Sequence, residues 1–96
     1  MDIGKAIREL RKQRSWSQKN LAELANITQA ALSQIENGKR PGIETMKQIS
    51  QALEVPESLI YIQGLERDDI PENKKELYDH LFPVIRQMVT QIAKAD

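Results

Sequence analysis

The stretch Ser17–Arg40, SQKNLAELANITQAALSQIENGKR, decides how the rest of the chain is read. Leu21, Ala22, Leu24 and Ala25 put a small apolar face on a first segment at helical spacing. Asn26 follows, a residue type that tolerates the left-handed backbone most side chains avoid. Thr28 is placed to cap a second segment by accepting a hydrogen bond from a backbone N–H. That segment carries Leu32 and Ile35 on one side and Gln29, Ala30, Ser33 and Gln34 on another. Asn37-Gly38 is a helix stop, and Lys39-Arg40 sets two cations just beyond it. Two short helices joined by a tight turn are predicted.

Such a pair is a helix-turn-helix, in which the second helix lies in the major groove of DNA. Outward from it, Ile3, Ile7 and Leu10 predict a helix from about Asp2 to Arg14, ended by Ser15-Trp16 with Trp16 in the core. Pro41-Gly42 precedes a helix over Ile43–Leu53 with Met46, Ile49 and Leu53 inward. Pro56 suits the first turn of a fifth helix, expected to bury Leu59, Ile60 and Ile62 and to end near Gly64.

The runs Ser17-Gln18, Leu21-Ala22-Glu23, Ile27-Thr28-Gln29 and Leu32-Ser33-Gln34-Ile35-Glu36-Asn37-Gly38-Lys39-Arg40, with Ile49 to Val55 downstream, carry a family resemblance. Over residues 1–64 the chain resembles the Xre/Cro family of bacterial and phage repressors. The resemblance implies an all-α fold, a five-helix lambda-repressor-like domain that binds a double-stranded DNA operator and regulates transcription, most often as a repressor. It implies a left-handed exit from the first helix at Ser15, where many relatives carry glycine. It also implies that Arg11 pairs with Glu36 and holds the reading helix at a fixed angle.

Ninety-six residues allow one domain and an appendage. A unit of about 64 residues buries only roughly 60% of its unfolded surface and is marginal without further help. With no cysteine, disulfide scaffolds and thiolate metal sites are excluded. No apolar run approaches the ~20 residues of a membrane span, and MDIGKAIRELRK is too charged for a signal peptide. A cytoplasmic protein with no membrane partner is expected. Net charge is zero, yet residues 1–40 carry +4 and residues 41–96 carry −4. The positive half holds the helix-turn-helix, as a footprint on DNA requires.

Beyond an acidic connector, residues 65–72, the segment 73–96 is helical in pattern to about Ala95. Leu81, Ile85, Met88 and Ile92 are spaced four, three and four apart, a heptad-like seam. Tyr78, Phe82 and Val89 widen it on one side, Leu77 and Val84 on the other. Pro83 removes a helical hydrogen bond, so a kink or break is expected near Phe82. The seam is read as the contact of a homodimer. The alternatives are a fold-back onto the first domain, or a different protein as partner, as an antitoxin masks its toxin. The organisation expected is thus 1–64 for DNA binding, 65–72 as linker and 73–96 for dimerisation.

Gln29, Ala30, Ser33 and Gln34 are the candidate base readers: a glutamine amide can pair bidentately with adenine, and an alanine can meet a thymine methyl. Gln18, Lys19, Asn37, Lys39 and Arg40 are the candidate phosphate binders, Gln18 at the start of a helix where backbone N–H groups favour an anion. Lys12 and Arg14 are outer candidates. Enzymatic readings have little to stand on. His80 is the only histidine, too few for a metal centre, and no phosphate-cradling glycine loop exists. No catalytic residue, metal or cofactor is expected.

Overall fold

The structure, a computed structural model, describes residues 1–94; Ala95 and Asp96, at the end of the expected 73–96 segment, lie outside the described residues. Six α-helices follow one another: α1 (Ile3–Gln13), α2 (Gln18–Ala25), α3 (Gln29–Glu36), α4 (Ile43–Leu53), α5 (Glu57–Gly64) and α6 (Lys75–Ala93). Two single 3-10 turns, Arg67–Asp69 and Glu72–Lys74, lead into α6. Among the described residues there is no strand. The fold is all-α, five lambda-repressor-like helices and a C-terminal sixth.

Each helix of the α2–α3 pair begins where its side chains can satisfy the first free N–H groups. Ser17 and Asn20 cap α2 reciprocally, the Asn20 N–H donating to Ser17 Oγ at 3.0 Å. Thr28 Oγ1 accepts from the Ala31 N–H at 3.0 Å to open α3. Between them Asn26 takes the left-handed conformation, φ 57°. Ser15 does the same at φ 59° at the exit of α1, as the family resemblance implied, and Glu54 does so at φ 58° after α4. Gly38, at φ 117°, ends α3 in a conformation that side chains rarely adopt.

The core gathers Ile7 and Leu10 of α1, Leu21 of α2, Leu32 and Ile35 of α3, Met46, Ile49 and Leu53 of α4, and Leu59 and Ile60 of α5. Trp16 is half-buried against it. Helix α1 comes so close to the end of α3 that a Cβ on Gly4 would collide with the Ile35 carbonyl oxygen. Val89 and Ala93 of α6 complete the same core, and Gln13 Nε2 of α1 donates to Thr90 Oγ1 of α6 at 3.2 Å. Helix α6 therefore supplies the further burial that a five-helix unit of this size needs.

Three side-chain placements are corrected and one backbone expectation is narrowed. Leu24 is exposed rather than part of the inner face of α2, because Leu21, Ala22 and Ala25 already meet the core and Leu24 falls beside that stripe. Ile62 is exposed, since Leu59, Ile60 and Gln63 form the buried side of the short α5. Of the kink or break expected near Phe82, the break does not occur: Pro83 lies inside continuous α6, its ring on the exposed side, where the carbonyl it leaves unpaired can meet water. Phe82 and Val89, read as one edge of the seam, instead face the chain's own core side and are buried, while Tyr78 is half-buried.

Candidate nucleic-acid interface

Helix α3 divides by face as its sequence divides by polarity. Leu32 and Ile35 are buried, whereas Gln29, Ala30 and Gln34 are exposed and Ser33 is half-buried. The 3.6-residue repeat puts positions 29, 33 and 37 on one line and 30 and 34 on the next. Helix α3 ends with the Gly38 N–H donating to the Ile35 carbonyl at 3.0 Å and the Lys39 N–H to the Gln34 carbonyl at 2.9 Å. That turn brings Lys39 back beside the helix, where its Nζ donates to Gln34 Oε1 at 3.4 Å. Asn37, Lys39 and Arg40 are all exposed, as is Lys19 on α2.

Gln18 is half-buried and its amide is already engaged, Nε2 donating to Glu36 Oε1 at 3.1 Å. Glu36 is the centre of this end of the site. Its carboxylate is fully buried and takes a two-pronged contact from Arg11, Nε to Oε2 at 2.8 Å and NH2 to Oε1 at 2.9 Å. The remaining Arg11 nitrogen, NH1, donates to the Trp16 carbonyl at 2.8 Å. Burial pushes the Glu36 carboxyl upward, but hydrogen bonds from Arg11, Gln18 and Arg8 and the Arg11 charge outweigh it and hold the group below the ordinary carboxylate value. The pairing of Arg11 with Glu36 expected from the family resemblance is present.

Arg8 joins this network without having been a sequence candidate. Its NH2 donates to the Glu36 main-chain carbonyl at 3.0 Å and to Asn37 Oδ1 at 3.4 Å. A signal existed: Arg8 lies three residues before Arg11, hence on the same face of α1. Arg14, an outer phosphate candidate, is largely occupied otherwise, its guanidinium 5.0 Å from the centre of the Trp16 ring. Lys12 is exposed.

The seam residues of α6 are open: Leu81, Ile85, Met88 and Ile92 are between 38% and 59% exposed. Of these, Leu81 and Ile85, with Leu77, Tyr78 and Phe82, border an apolar groove whose far wall is Leu65, Ile70 and Pro71 of the connector. His80 is a surface residue. Among the described residues no group of three or more acidic, histidine or cysteine side chains is placed to hold a metal, and no helix is long and apolar enough to cross a membrane.

The chain belongs to the helix-turn-helix family, whose model matches residues 7–60, the span from α1 through the first half of α5. This is a family of transcription regulators and not of enzymes. The chain is 39% identical over 65 residues to the HTH-type transcriptional repressor RghR of Bacillus subtilis (strain 168), covering 65% of this chain and 48% of that protein. It is 31% identical over 97 residues to the uncharacterized HTH-type transcriptional regulator RghRB of the same organism, covering 96% of this chain and 70% of RghRB. It is also 42% identical over 40 residues to the competence pilus inhibition repressor of Acinetobacter baylyi, covering 42% and 36% of the two chains. The chain thus spans about half the length of RghR. No solved structure matches the chain.

Proposed function

We propose that this protein is a sequence-specific DNA-binding transcriptional regulator, a cytoplasmic repressor that grips its operator as a homodimer. One observation carries the reading: the outward face of α3 is uncharged and rich in amide groups, on a helix whose far end is pinned by a buried ion pair and followed by exposed cations. A helix entering the major groove needs hydrogen-bonding groups near its start and positive charge where the chain passes the phosphates. In this reading Gln29, Ala30, Ser33 and Gln34 meet base edges, while Lys19, Asn37, Lys39 and Arg40 meet phosphates. Gln18 has a double task, holding Glu36 from one amide hydrogen and presenting the other to a phosphate. The names of RghR and of the competence pilus inhibition repressor favour repression over activation.

The division of labour follows the expected boundaries: residues 1–64 bind DNA, 65–72 connect, and 73–96 dimerise. Leu81, Ile85, Met88 and Ile92 pack against the same residues of a second copy, while Val89 and Ala93 keep α6 seated on its own domain. Two recognition helices related by a two-fold axis would meet half-sites about 10 bp apart.

Selection of the preferred duplex from random DNA tests the reading directly. A pseudo-palindromic site should emerge, and Gln34→Ala should weaken binding to it by about 1–3 kcal/mol while barely changing binding to random DNA. Lys39→Ala or Arg40→Ala should instead weaken binding to every duplex and make its salt dependence shallower by about one unit. No enrichment of any sequence, together with a monomeric protein in light scattering, would favour the alternative, in which the α6 face serves a different protein.

A further inference from the structure

Two guanidinium groups meet the single Glu36 carboxylate, although one suffices to neutralise it. Arg11 does so from inside, with a side chain only 10% exposed. Arg8 stands outside, 39% exposed, and reaches the carboxylate only by a 3.5 Å contact from Nε. The trio keeps one surplus positive charge, and that charge lies on the exposed member.

The better Arg8 contacts go elsewhere. Its NH2 donates to the Glu36 main-chain carbonyl and to the Asn37 side chain, both at the C-terminal end of α3, where unsatisfied carbonyls carry partial negative charge. Arginine can only donate, so the Asn37 amide atom that faces it must be the oxygen. The Asn37 NH2 is then left for an acceptor outside the protein, and Asn37 is exposed.

We propose that Arg8 is a positioning residue of the DNA interface: it fixes the Asn37 amide with its NH2 directed to a backbone phosphate and supplies the charge that offsets the negative end of α3. The proposal rests on the DNA-binding reading above. It adds a first-helix residue to the phosphate footprint and makes Asn37 depend on it.

Binding to a short duplex of mixed sequence, followed by fluorescence anisotropy across a salt series, tests it with the full chain. Wild-type protein should bind at low salt; if it does not, the DNA-binding reading fails, and this proposal with it. Given wild-type binding, Arg8→Ala should bind about tenfold more weakly, with a salt slope shallower by about one unit. Asn37→Ala should cost about fivefold alone but less than about twofold when added to Arg8→Ala, the mark of two residues acting as one. Arg8→Lys keeps the charge but lacks the planar fork, so it should keep the wild-type slope and lose the coupling to Asn37. Multiplicative losses for Arg8→Ala and Asn37→Ala, or wild-type affinity for Arg8→Ala, would overturn the proposal. Circular dichroism checks that each variant is folded. Were Arg8→Ala unfolded, Arg8→Lys with and without Asn37→Ala carries the same test: a role confined to stability leaves the full loss of about fivefold on Asn37→Ala in the Arg8→Lys protein and overturns the proposal, whereas positioning reduces it to less than about twofold.

Discussion

Helices α3 and α6 each press one face into the same core and turn the other outward, and the two outer faces are opposite in kind. Helix α3 shows amides and an alanine, and its end is clamped by Arg8, Arg11 and Gln18 through Glu36. Helix α6 shows Leu77, Leu81, Val84, Ile85, Met88 and Ile92. The residues next around it on the open side are His80, Gln87 and Gln91, so no formal charge borders the stripe there. A rigid polar face suits a partner that offers hydrogen-bonding groups in fixed positions. An apolar face with no formal charge along that open side suits a two-fold contact with itself, where each side chain meets its own kind and like charges would oppose one another. Exposure is common to both helices; chemistry separates them.

The largest expected effect concerns the clamp on α3. Arg11→Ala leaves the Glu36 carboxylate buried with its main partner gone, and should cost about 3–5 kcal/mol of stability in urea unfolding. Replacing both Arg11 and Glu36 with leucine should cost less than the single change, because no buried charge is stranded. A single-variant loss under about 1 kcal/mol would mean that Arg8 and Gln18 hold α3 unaided. Acid probes the same carboxylate. Its folded pKa is depressed, so its contribution is complete above the ordinary value of 4.5 and disappears as pH falls through the lower folded value. The acid limb of the stability curve should therefore be shallower in Glu36→Gln than in wild type.

The next effect separates the two faces of α6. Val89→Ala empties part of the shared core and should cost about 2 kcal/mol by denaturation. Ile85→Glu together with Met88→Glu should change monomer stability by under about 0.5 kcal/mol, yet light scattering should show a monomer where the proposed dimer is expected of the wild type. Such a variant should also bind a full operator far more weakly. A double variant that remains dimeric would move the self-contact off α6.

The smallest effect lies outside both helices and calibrates them. Glu54 adopts a left-handed backbone that glycine takes without strain. Glu54→Gly should raise stability by about 0.5–1 kcal/mol, with DNA binding unchanged. A change in DNA binding there would show that α4 is coupled to the reading face.

Much of this was legible in the sequence because it depends on near neighbours. Thr28, Asn26 and Gly38 announce the start, the turn and the stop of α3, each through a backbone preference that needs no distant contact. The polar and apolar faces of α3 follow from the helical repeat alone. Leu24 and Ile62 were misread for the same reason in reverse: short helices of mostly apolar residues give several plausible inner faces, and only the neighbouring helices select one.

The chain order of residues thus determined the six-helix plan, the polar outer face of α3 and the charge contrast between the two halves, all of them local or additive properties. Tertiary structure decided what crosses between distant segments. It brought Arg8 to Asn37, 29 residues away, and Gln13 to Thr90, 77 residues away. It also chose which side of α6 joins the core, turning Phe82, Val89 and Ala93 inward and leaving Leu81, Ile85, Met88 and Ile92 in the open. A helix that is apolar most of the way around carries no internal instruction about which side to bury; that choice belongs to the shape of the surface on which it lands.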